Sequence, residues 1–144
     1  MAISRQRELL ASARSFAFET TLSGQHELDV MRKAASLGYK INLVFISLGT
    51  PAMSIGRISQ RVLDGGHDIP ATDVVRRFER SMSNLRQALK QSDRAFGLDN
   101  ASPRARLLIS IEDGKLKRAT RDLPAWAIPV LSRYCNAEHE PNEE

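Results

Sequence analysis

The sequence predicts an α/β fold with a mostly parallel sheet, finishing in a C-terminal β-hairpin plus helix. Three observations predict it. Ile41–Leu48 is a near-continuous apolar run of strand length, the pattern of a strand covered on both faces. Ahead of it lie a short β-type run, Ser15–Glu19, and a segment of helical spacing, giving strand, helix and strand over roughly thirty residues, as in a βαβ unit. Asp113-Gly114, between Arg106–Glu112 and Lys115–Thr120, is the strongest short hairpin signal in the chain.

The elements follow in order. Gln6–Ala13 reads as a short helix or the end of a longer one. After Phe16-Ala17-Phe18-Glu19, Ser23-Gly24 opens a helix in which Leu28, Met31, Ala35 and Leu37 recur at near-helical spacing, and Gly38 supplies a stop. Pro51 suits a first helical turn, so a helix is expected to about Leu63. Gly65–Pro70 is a loop. Thr72 or Asp73 then caps a long helix to about Gln91, with Val74, Val75, Phe78, Met82, Leu85 and Leu89 as its apolar stripe. Ala95–Leu98 reads as a further strand, and Leu123–Cys135 as a final amphipathic helix.

At 144 residues the chain fits one domain, residues 1–136, followed by an acidic tail, 137–144, expected to be disordered. The formal charge of +4 hides an asymmetry. Four of the 17 acidic residues lie in the last seven, so residues 1–137 carry 13 acids against 21 bases, or +8. A body that basic favours an anionic partner. A single cysteine, Cys135, excludes an internal disulfide framework and suits a reducing cytoplasm. No apolar run is long enough to span a bilayer and the start lacks a signal-peptide pattern, so the expectation is a cytoplasmic protein with no membrane partner.

Between Pro51 and Arg94 stand Arg57, Arg61, Arg76, Arg77, Arg80, Arg86 and Arg94 against one lysine, Lys90. The planar guanidinium binds phosphate oxygens two at a time. Arg57 and Arg61 share one helix face, as do Arg76 and Arg80 on the next helix, and a Gly-Gly loop joins the two, an arrangement that would suit a lid over phosphates. On spacing alone, a solvated face paired with Asp64, Asp73 or Glu79 outweighs that reading. Glu19 ends a strand-like run, where open α/β sheets bind ligands; it could hold Mg²⁺ through water, accept from a substrate hydroxyl, or cap its loop. His67 beside Asp68 is more often a loop hydrogen-bonder than a titrating catalytic group. No histidine or cysteine cluster has metal-ligand spacing, and no Gly-x-x-x-x-Gly-Lys-Ser/Thr occurs.

The segments Phe16–Gly24, Gly38-Tyr39 leading into Ile41–Leu48, Arg57–Val62, Gly65–Pro70, Arg76–Ser81, Asn84-Leu85, Asp99-Asn100 and Asp113-Gly114 together resemble the zeta-toxin family of P-loop kinases, particularly its chromosomal zeta-toxin-like ATPase branch. The resemblance runs over about residues 5–130. It implies a partial P-loop nucleotide-kinase-like three-layer α/β/α domain. It also implies an ATP- and Mg²⁺-dependent phosphotransferase acting on UDP-N-acetylglucosamine or a similar small molecule, with an antitoxin protein as a possible partner. In that resemblance Glu19, Arg57 and Arg61 are the catalytic residues. Thr20, Thr21, Gly65, Gly66, His67, Arg77 and Arg80 are the substrate- or phosphate-binding ones, with either Arg77 or Arg80 facing the site.

The departure is large. The family's first strand, its Walker A loop and its general-base aspartate have no counterpart, so the expectation is a truncated kinase with weak or no activity, since phosphoryl transfer rests on positioning and charge stabilisation. Ile41–Leu48 is then expected to be an exposed edge. The alternatives are a catalytically inactive nucleotide-sugar- or antitoxin-binding module and, less well supported, a nucleic-acid-binding basic domain. The 6% of aromatics does not interleave with the arginines as a stacking platform would.

Overall fold

A computed structural model of the chain describes residues 3–135; the acidic tail lies outside them. The element order is α1 (Ile3–Ala11), α2 (His26–Ser36), β1 (Asn42–Ser47), α3 (Pro51–Leu63), α4 (Ala71–Gln91), β2 (Arg94–Asp99), β3 (Arg106–Glu112), β4 (Lys115–Ala119) and α5 (Ile128–Cys135). Mixed α/β architecture is as expected, but the sheet is not mostly parallel. Its order is β1-β2-β3-β4, with β1 and β2 parallel and the other two pairings antiparallel. Only the β1-to-β2 connection is long enough, through α3 and α4, to bring a strand back in the same direction; the remaining connections reverse the chain.

The second correction concerns Ser15–Glu19. That run is extended, yet it belongs to no strand, because no neighbouring backbone pairs with it. Of the expected βαβ unit, only the helix and the second strand form as elements. The hairpin around Asp113-Gly114 is present, with both residues at positive φ (49° and 75°), the geometry that a two-residue turn of this kind requires.

The core explains why the helices lie where they do. Leu43, Phe45, Ala95, Ile109 and Ile111 share one sheet face by register. They pack with Leu28 and Met31 of α2, Leu85 and Leu89 of α4, and Val130 and Leu131 of α5. The opposite face presents Val44 (59% exposed), Ile46 (55%), Phe96 and Leu107 to solvent. Among the described residues the helices therefore cover one face, and the third layer of an α/β/α sandwich is not formed. α1 packs on α2 through Leu10, Val30 and Ala34, with Phe16, Phe18, Tyr39 and Ile41 against them. The Tyr39 hydroxyl sits among the last α1 carbonyls, 3.0 Å from that of Leu9 and 3.1 Å from that of Leu10.

Asp93 ties the entry of β1 to the sheet. Its carboxylate accepts from the Ile41 N–H and from Lys40 Nζ, both at 2.8 Å, and its carbonyl accepts from the Asp113 N–H. The Lys40 hydrogen bond, then the Ile41 N–H, hold this carboxyl below the ordinary carboxylate value. A depressed folded-state pKa contributes stability that is present above the unfolded value of about 3.9 and is lost as pH falls through the folded one. Asp93→Asn is accordingly expected to lower the melting temperature at pH 7, with the gap to the parent narrowing below about pH 4. Thermal unfolding across that range checks it; a gap that stays constant would contradict the assignment.

Candidate functional site

A cavity of about 1000 Å³ lies beside β1. One wall is the extended run from Phe16 to Leu22, another is β1 itself with Lys40 and Leu48, and α3 and α4 contribute Ile58, Arg61, Val74, Arg77 and Phe78. Several features of the sequence converge here. Glu19, Thr20, Thr21, Arg61 and Arg77 all line the cavity, although they come from three separate segments.

The wall at Phe16–Leu22 is held by α4. The Asn84 amide donates to the carbonyls of Leu22 (2.9 Å) and Gly24 (3.0 Å), and the Ser81 hydroxyl donates to that of Thr21. Leu22 is buried at a positive φ of 55°, which turns the extended run toward α2. Polar residues three apart within the apolar stripe of α4 are the sequence signal for this anchor. Ser81 and Asn84 belong to the segments of the family resemblance, but spacing alone assigns them no role.

Three of the expected residues have other work than ligand contact. Arg57 donates to the Asn100 carbonyl at 2.8 Å and does not line the cavity; it fastens α3 to the loop after β2. Gly65 has a φ of 88°, and the N–H groups of Gly65 and Gly66 donate to Val62 and Arg61 carbonyls, so this pair ends α3 in a left-handed turn. His67 and both glycines stand outside the cavity, whereas Ile69 of the same loop lines it. Between the two arginines left open by sequence, Arg77 lines the cavity and Arg80 does not. Arg76 is paired with Asp73 at 2.7 Å, the solvated-face arrangement expected for part of the arginine run.

Electrostatics single out two cations. Arg61 and Arg77 carry no ion pair among the described residues, while Lys40 is held by Asp93. The hydroxyls of Thr20 and Thr21 are engaged locally: Thr20 donates to Glu27 at 2.8 Å and accepts from the Leu22 N–H, and Thr21 shares a hydrogen with Ser23. They shape the wall rather than offer free donors. Glu27, which also lines the cavity, uses one carboxylate oxygen on Thr20; its other oxygen is buried without a partner among the described residues. That oxygen lies against Gly24. Glu19 and Glu27 are the two carboxylates that line the cavity, and a hard cation such as Mg²⁺ takes one or two carboxylates and completes its shell with water and ligand phosphate. The same walls hold no glycine-rich run of backbone N–H groups, so an ATP triphosphate cradle does not fit them.

No family model and no solved structure matches the chain. Over 61 residues it is 36% identical to an uncharacterized protein of Haemophilus influenzae, a match covering 42% of this chain and 43% of that protein. The matched part thus spans less than half of the relative's length. No helix among the described residues is long and apolar enough to cross a membrane.

Proposed function

We propose that the cavity beside β1 binds a phosphate-bearing small molecule of the nucleotide or nucleotide-sugar class. In this reading the chain is a zeta-toxin-like phosphotransferase domain of P-loop kinase ancestry that binds its ligand without appreciable turnover by itself. The observation that supports it most is that Arg61 and Arg77, which have no ion pair among the described residues, line one cavity from two helices together with Glu19. Their forks are suited to phosphate oxygens. Glu19 and Glu27 are the residues that would hold Mg²⁺, which would supply positive charge against the ligand's phosphate. The apolar walls, Phe16, Phe18, Phe45 and Phe78, suit a sugar or base face. Arg57, Gly65 and Gly66 serve this site indirectly, by setting the positions of α3 and of the loop after it.

Calorimetric titration with UDP-N-acetylglucosamine and with ATP, magnesium present, tests the reading. A charged hydrogen bond contributes about 1.5–3 kcal/mol, so Arg61→Ala and Arg77→Ala are each expected to weaken binding of the UDP-sugar about 10- to 100-fold. Arg80→Ala should leave it unchanged. A parent chain that does not bind the UDP-sugar, or arginine variants that bind like the parent, would sink the proposal. Phosphate release from ATP well above background would remove its second half.

A further inference from the structure

β1 is an edge of the sheet with a second wall facing it across the cavity, and this points to an occupant of definite shape. Ile41 gives its carbonyl to the Arg94 N–H, and Ser47 gives its own to the Asn100 N–H. Because backbone direction alternates along a strand, the N–H and C=O groups of Asn42, Val44 and Ile46 point away from β2, toward the cavity. No strand pairs with them among the described residues. Unpaired ladder groups on an edge are a template for another strand.

β1 has six residues and therefore runs about 20 Å at roughly 3.3 Å per residue, the length of one six-residue strand laid beside it. The extended run from Phe16 to Leu22 lines the same cavity, so an occupant would lie in a slot between that run and β1. Both faces of β1 are apolar at the slot, with Leu43 and Phe45 toward the core and Val44 and Ile46 exposed. An occupant apolar on both faces is matched to that. Arg61 and Arg77, without ion pairs, favour an acidic flank on it.

We propose that the slot accepts, by β-strand addition, an extended apolar segment of about six residues with an acidic flank, donated by a partner polypeptide. The proposal shares its cavity with the phosphate-ligand reading, so the two ligands would compete, but it rests on the backbone of β1. Its probe is a peptide with a central hexamer of alternating valine and isoleucine, flanked by glutamates, and its readouts are fluorescence anisotropy and hydrogen exchange. Saturating peptide is expected to slow exchange of the Asn42, Val44 and Ile46 amides. The same peptide N-methylated along the hexamer keeps the apolar surface and loses the donors; it should bind at least tenfold more weakly. A lysine-flanked version should also bind more weakly than the glutamate-flanked one.

Val44→Pro removes one outward N–H, at an edge position where proline is tolerated, and should cut peptide affinity at least tenfold while the circular dichroism stays as in the parent. If Val44→Pro fails to fold, Ile46→Pro, which removes another outward N–H nearer the strand end, takes its place with the same expectation. Equal binding of the N-methylated peptide, unchanged exchange at those three amides, or parent-like binding by the edge variants would overturn the proposal. Loss of UDP-sugar binding in the arginine variants, with amide protection by peptide retained, would leave both readings standing.

Discussion

Truncating Leu85 to alanine is expected to lower the unfolding free energy by about 3–5 kcal/mol, the range in which well-packed core leucines fall when the surroundings cannot collapse. Leu85 is 1% exposed and lies where α4 meets both α2 and the sheet, among Leu28, Met31, Ala95, Ile109 and Leu131. Each of these neighbours is held by its own element, so none is free to fill the void. Domains have about 5–15 kcal/mol in total, and this one change would remove a large part of it. Urea denaturation checks it: the midpoint should fall while the slope stays constant. Val75→Ala on the same helix, at 36% exposure, is the comparison and should move the midpoint far less. A loss under about 1 kcal/mol at Leu85 would mean that the core is not the well-packed kind to which that range applies.

The parts of the fold legible in the sequence were those whose signals are local. The apolar run of β1, the proline that starts α3, the stripe of α4 and the Asp113-Gly114 turn each declare themselves within a few residues and form, though Val75 of that stripe is exposed and α4 starts after Pro70 without the side-chain cap expected of Thr72 or Asp73. Sheet direction was not legible in the same way. Ile41–Leu48 looks like a strand between parallel neighbours, yet among the described residues it pairs with β2 alone, because hydrophobicity reports that a strand is apolar and not which strand lies beside it. Phe16–Glu19 shows the same limit from the other side: its composition is that of a strand, but a strand exists only when another backbone pairs with it.

At the candidate site, spacing could not choose among the arginines. It placed Arg57 with Arg61 on one face, but that face contacts two things. Arg57 reaches the Asn100 carbonyl, while Arg61, one turn on, reaches the cavity. Arg77 and Arg80 are both exposed and three residues apart on α4, and the cavity lining includes the first and not the second. The glycines of the loop are explained by local backbone geometry, the end of α3, with no ligand required. Glu27 was invisible because its significance is one buried oxygen without a partner, a property of packing that no residue pattern records.

The second large effect is expected at Asn84, and it separates a donor role from a packing role. Its amide nitrogen donates to both the Leu22 and Gly24 carbonyls, at 2.9 and 3.0 Å. Asn84→Ala leaves those acceptors without that partner, at a cost of about 1–3 kcal/mol for each group that water does not reach. It also frees the chain that carries Glu19, Thr20 and Thr21 along the cavity wall. Binding of the UDP-sugar should therefore weaken together with stability, although Arg61 and Arg77 are untouched. Asn84→Asp decides the cause. Aspartate keeps the shape but presents acceptors to acceptors, so it should be worse than alanine if donation is what holds the segment, and milder than alanine if shape is. Ser81→Ala removes the neighbouring donor to the Thr21 carbonyl. Combined with Asn84→Ala it should fall short of additivity, because once either anchor is lost the segment no longer presents its carbonyls to the other.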